Sequence, residues 1–104
     1  MKERVFIRWL SFEDRSRQVM VVDEGKIIRF VVQYGTLIAG EWCPVVRYDT
    51  AHGFAHKDVL SPGGGIERKI AVSYAYNEAF TNAEIDIKLN WHQYKEEYLQ
   101  KVKG

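Results

Sequence analysis

Polar and apolar residues alternate through most of the chain and then, near residue 77, begin to recur at a helical interval. Residues 5–12 (VFIRWLSF) are β-branched and aromatic over a run too short for a helix, which predicts a strand. Residues 18–22 (QVMVV) predict a second, closed by the turn signal Asp23-Glu24-Gly25. The longest strand candidate is 27–38 (IIRFVVQYGTLI), with Phe30, Val32 and Tyr34 on one face and Arg29 and Gln33 on the other. Ala39-Gly40 then reverses the chain into a strand over 42–50, so a hairpin is expected. Pro44 lacks an N–H, and its backbone nitrogen must face a strand start or an unpaired edge. Residues 54–60 give the next strand, Ser61-Pro62-Gly63-Gly64-Gly65 a turn, and 66–72 (IERKIAV) the returning strand.

From Asn77 the period changes. Phe80, Ala83, Ile87, Trp91, Tyr94 and Tyr98 follow one another at spacings of 3, 4, 4, 3 and 4, an apolar stripe on a helix. Asn77 is placed to cap its start, with Thr81 and Glu84 offering a second capping box. Lys95, Lys101 and Lys103 lie toward the end, where cations suit the helix dipole. Ile85, Ile87, Leu89 and Trp91 also alternate with polar residues as a strand would, but this pattern is much shorter than the stripe, and helix is preferred. The expected architecture is α+β over 1–104 as a single domain: an antiparallel meander of five or six strands with one long C-terminal helix packed on one face. The stripe should bury itself against Phe30, Val32 and Tyr34.

Between two apolar segments lies RYDTAHGFAHKDVL, residues 47–60, dense in side chains that carry chemistry. Arg47 and Asp49 share a strand face, as do His56 and Asp58, and loop parity decides whether the pairs meet. A three-residue loop (51–53) would oppose Arg47 to Lys57, two like charges. A four-residue loop (51–54) opposes Asp49 to His56 and Arg47 to Asp58. Unlike charges directly opposed gain up to ~1 kcal/mol and like charges lose it, so the four-residue loop is expected, with His52 at the tip and Gly53 free to take a positive φ.

Three readings of this cluster stay open. In the first, the ion pairs hold the strand register and blunt an exposed sheet. In the second, His56 is a general acid/base oriented by Asp49. His52 is its complementary partner, Asp58 belongs to the same face, and Arg47 and Lys57, with Tyr48, engage a substrate phosphate. Two imidazoles and a cation suffice for metal-independent cleavage of RNA, whose 2′-OH is the nucleophile. In the third, His52, His56 and Asp49 or Asp58 ligate a metal, but the two histidines fall across a loop and a strand with no cysteine pair, so neither metal nor cofactor is expected. The Gly-rich turn lacks the Lys-Ser/Thr of a phosphate loop, and Cys43 has no histidine at catalytic-motif spacing.

Composition narrows the picture only slightly. At 104 residues, with 46% hydrophobic and 28% charged, the chain suits one globular core. A net charge of +1 excludes bulk electrostatic capture of nucleic acid, so any RNA contact must come from a local patch. A single cysteine, no long apolar run and an N-terminus without signal-peptide character lead to the expectation of a cytoplasmic protein without membrane contact.

The hairpin, Arg47-Tyr48-Asp49 followed by Ala51-His52-Gly53, His56 and Asp58, together with the strand at 42–49 and Asn90-Trp91 in the helix, resembles a group of small uncharacterised prokaryotic proteins. More distantly it is similar to TumE-type toxins of toxin–antitoxin modules, which carry an Arg-Tyr-Asp strand and then a histidine-bearing segment. That resemblance implies a protein acting on RNA or translation, with an antitoxin-like protein partner. The alternative from the residues themselves is a non-enzymatic interaction or dimerisation domain, a homodimer. A site requires a concave surface beside Arg47, Asp49 and His56; an interaction domain requires these groups flat, mutually satisfied or buried against a second chain.

Overall fold

Each alternating segment finds its partner in the next, and the strands pair in chain order as one antiparallel sheet. The computed structural model describes residues 1–72 and 75–104. Its elements are β1 (Lys2–Trp9), β2 (Asp14–Asp23), β3 (Lys26–Ile38), β4 (Glu41–Asp49), a 3-10 turn (Ala51–Gly53), β5 (His56–Leu60), β6 (Ile66–Ala71) and α1 (Tyr76–Val102). The expected α+β meander is what forms, at six strands. Pro44 pairs with Gly35 at a register shift in the β3–β4 ladder, outside the stretch of β4 that β5 joins, so its missing donor costs no ladder bond there.

Boundaries moved for identifiable reasons. The first strand ends at Trp9 rather than running to Phe12. The Ser11 hydroxyl donates to the Asp14 carboxylate at 2.6 Å, and the Leu10 and Ser11 N–H groups both reach the Asp14 carbonyl, which closes a turn and leaves Phe12 exposed. Asn77 does not cap α1. The helix starts one residue earlier, without a side-chain cap, and Asn77 Oδ1 instead accepts the Ile27 N–H at 3.0 Å, fastening the helix start to the start of β3.

α1 has 27 residues, about 40 Å of helix, and packs over β3 and β4. Phe80 meets Phe30 edge-on at 5.6 Å between centroids, and Trp91 lies 6.1 Å from Tyr34. Val32, Tyr34, Val46, Ala83 and Ile87 are buried between helix and sheet. The helical stripe therefore buries where the sequence placed it, and the competing alternation at 85–91 leaves Ile85 and Leu89 on the solvent side. Among the described residues no helix covers the other face of the sheet.

Two carboxylates pin the helix to the sheet. Asp14, on β2, accepts the Tyr34 hydroxyl at 2.6 Å and the Lys95 ammonium of α1 at 2.9 Å. Asp86, on α1, accepts the hydroxyls of Tyr48 and Tyr94, each at 2.6 Å, and the Asn90 amide at 2.8 Å. Burial alone would raise both acids. For Asp14 the hydrogen bonds from Ser11, Tyr34 and Lys95 outweigh it, and for Asp86 those from Tyr48, Tyr94 and Asn90 do, so both carboxyls sit below their ordinary value. Burial and the facing carboxylate push Tyr34 and Tyr48 up.

A group with a depressed folded-state pKa stabilises above its unfolded value, and that stability is lost as pH falls through the folded one. Acid denaturation below pH about 4 should therefore be steep in the wild type and shallower in Asp86→Asn, followed by circular dichroism. At neutral pH, Tyr48→Phe, which leaves Asp86 short of one donor, should cost about 1–3 kcal/mol in urea denaturation.

Candidate functional site

The β4–β5 register opposes Arg47 to Asp58, Tyr48 to Lys57 and Asp49 to His56, the parity that cross-strand charge favoured. The acid and the imidazole meet: His56 Nε2 lies 2.9 Å from Asp49 Oδ1 and 3.6 Å from Asp58 Oδ2. Arg47 Nε stands 3.8 Å from Asp49 Oδ2, and on the far side Lys69 of β6 places its ammonium 3.3 Å from Asp58 Oδ1. A row of polar side chains thus crosses three strands, from Arg47 through Asp49, His56 and Asp58 to Lys69, with the imidazole at its centre.

The tip folds over the middle of this row. Asp49 Oδ1 accepts the Ala51 N–H at 2.9 Å, which turns the chain sharply after β4. His52 follows in the left-handed region with φ 69 and Gly53 with φ 83, a conformation histidine adopts more readily than most residues. The Phe54 ring then lies 5.3 Å from His56 and the His52 ring 6.4 Å. His56 is left only 1% exposed, whereas His52 and Phe54 face solvent.

Lys57 and Tyr48 are not part of this row. One residue out of phase with His56 and Asp49, they point to the helix side, where Lys57 Nζ meets the Tyr94 hydroxyl at 2.6 Å and Asp86 at 3.4 Å. The open face adds residues that reading one strand at a time could not assemble. A depression of about 430 Å³ beside Arg47 and Asp49 is lined also by Arg29, Gln33, Val19 and Val31. Farther along, Arg15 lies over the Trp42 ring at 4.0 Å and near Trp9 at 5.9 Å. The pairings Arg17↔Gln33 and Gln33↔Arg47 run a polar line between the two regions. Arg29 and Gln33 were visible as the non-core face of β3; their neighbours needed the register.

A concave surface adjoins Arg47 and Asp49 but is not lined by His56, which is buried with Asp58 within the row. Asp49, His56 and Asp58 also each offer a ligand atom, all within 4.8 Å of one another; of the metal reading weighed from the sequence, His56 and both carboxylates are in this grouping and His52 is not.

A family model, described as a domain of unknown function (DUF7718), matches residues 1–104. The chain belongs to the DUF7718 family. No curated protein and no solved structure matches it.

Burial sets the outcome of histidine replacement. His56→Ala leaves two carboxylates facing each other without the imidazole and should lower stability by about 3 kcal/mol, while His52→Ala at the exposed tip should stay within about 0.5 kcal/mol. Urea denaturation of both variants checks the contrast, and equal losses would show that burial in the row gives His56 no special structural weight.

Proposed function

We propose that this DUF7718 protein acts on RNA through the open face of its sheet, with Arg47 and Asp49 at the edge of the depression as the groups that touch the strand. The observation that carries this reading is the concavity itself, with Arg29 and Arg47 in its lining. A guanidinium fork suits a phosphate oxygen. Arg17 and Arg29 are exposed on the same face, and Trp9, 59% exposed, offers a ring on which a base can stack. This is a local basic patch on a chain of net charge +1, as RNA contact without bulk electrostatics requires.

If the strand is also cleaved, Asp49 is the acid/base group within reach, held by His56, and exposed His52 is the second proton carrier. The likeness of Arg47-Tyr48-Asp49 and the following histidines to TumE-type toxins supports a toxin-like role, with an antitoxin-like partner and a cytoplasmic setting. A short single-stranded RNA should bind the wild type, and Arg29→Ala and Arg47→Ala should each weaken it several-fold and reduce the salt slope of log Kd by about 0.7. In cells, wild type should slow growth and degrade total RNA, and Arg47→Ala should not. Wild type that binds no RNA at low salt ends this reading.

One feature favours the second reading, an interaction or dimerisation domain. Among the described residues β1 pairs only with β2 and is exposed along its whole length, presenting Val5, Phe6, Ile7 and Trp9. Concentration-dependent mass in light scattering, removed by Val5→Lys, would assign that edge to a protein partner.

A further inference from the structure

The buried half of the charged row poses a problem of donors and acceptors. His56 Nδ1 lies 3.4 Å from the Phe54 carbonyl oxygen, and Nε2 lies 2.9 Å from Asp49 Oδ1 and 3.6 Å from Asp58 Oδ2, so both ring nitrogens face acceptors. A neutral ring carries one proton for these acceptors at its two nitrogens, and either a second ring proton or a metal ion beside Nε2 meets the shortfall. Asp58 has a separate deficit: it is 3% exposed, and its Oδ1 has no hydrogen-bond partner among the described residues. Lys69 stands 3.3 Å from that oxygen without hydrogen-bond alignment, and its side chain is 42% exposed, so it is a surface charge beside the carboxylate rather than a partner built for it.

We propose that Asp49, His56 and Asp58 bind a divalent first-row transition-metal ion. His56 Nε2 stands 2.9 Å from Asp49 Oδ1 and 3.6 Å from Asp58 Oδ2, near the separations of neighbouring ligands around an ion with bonds of about 2.0–2.2 Å, and the donor atoms of all three residues lie within 4.8 Å of one another. The outer contacts match what ligands need. The Phe54 carbonyl fixes the imidazole tautomer, the Ala51 N–H steadies Asp49, and Lys69 balances Asp58. One imidazole with two carboxylates suits Zn²⁺ or Mn²⁺ better than Mg²⁺ or Ca²⁺, which prefer oxygen alone. Three protein ligands leave a position for water, on the side where Asp49 borders the open-face depression. This site stands independently of RNA binding and survives its failure.

The test uses untagged full-length protein purified without chelator. Elemental analysis should find one transition-metal ion per chain, and Zn²⁺ or Mn²⁺ added to stripped protein at about a hundredfold excess over Kd should raise Tm by on the order of 10 °C. Asp58→Asn should weaken Zn²⁺ binding at least tenfold, and His92→Ala, on the far side of the molecule, should leave it unchanged. Because Asp58→Asn can also disturb folding, the imidazole ¹⁵N spectrum of the wild type decides: Zn²⁺ should shift Nε2 of His56 and leave Nδ1 protonated. A His56 ring protonated on both nitrogens and unmoved by either ion overturns the proposal and leaves a self-neutralising row. So does Zn²⁺ binding of wild-type strength in a folded Asp58→Asn variant.

Discussion

In the β4–β5 ladder neighbouring side chains must go to opposite faces, and this two-residue period divides the work of one short hairpin. Tyr48 and Lys57, paired across the strands, are sent to Asp86 and Tyr94 on the helix. Asp49 and His56, the next pair, are sent to the face the helix leaves open. A slip of one residue would exchange these sets, driving the carboxylates and the imidazole into the aromatic layer under α1 and exposing the two groups that hold the helix. The register is kept by polar contacts on both faces, by Asp49 against His56 on one and by Lys57 and Tyr48 meeting Asp86 on the other. Fold and site thus rest on the same pairing.

The helix is held by more than its apolar stripe. Apolar contacts between α1 and the sheet would tolerate sliding, since hydrophobic burial has no direction. Directed hydrogen bonds do not. Lys95 to Asp14 and Asp86 to Tyr48 tie distinct points of α1 to β2 and β4, and Asn77 ties the helix start to β3. The first two involve buried or half-buried carboxylates that would be costly if left unpaired. The edge-on Phe30–Phe80 and tilted Tyr34–Trp91 pairs then work with a fixed helix.

What a reader of the sequence can recover follows from the distance over which the cause acts. The β3 faces, the Ala39-Gly40 reversal, the Ser61–Gly65 turn and the helical stripe are set by neighbours a few residues apart, and all were readable. The hairpin parity was readable too, because charge on adjacent strands discriminates between loop lengths. Asn77 resembled a cap because capping is local, yet its partner is the Ile27 N–H, fifty positions away. The carboxylate pins at Asp14 and Asp86 rest on partners in other elements and gave no local sign. Lys57 was grouped with His56 by proximity along the chain, although strand alternation already separates them. The burial of His56 depends on the tip turning back at Asp49 and Ala51, a conformation that composition alone does not specify.

A net charge of +1 does not preclude a strongly basic surface, because the charges are sorted by face. The open face gathers Arg15, Arg17, Arg29, Arg47 and Lys69, against Glu3 and the paired carboxylates Asp49 and Asp58. Glu67, which could have diluted that field at the β6 edge, is taken by Lys101 of α1 at 2.7 Å. Acids that would have countered the field lie on the helix, where Glu84 meets Arg8 and Asp86 meets Lys57. Within the row itself the two inner carboxylates offset Arg47 and Lys69, so attraction for an anion comes from the flanking arginines while the row supplies geometry. A polyanion drawn to this face would contact arginine before it reached Asp49, and any ion held by Asp49, His56 and Asp58 would lie where the phosphate arrives.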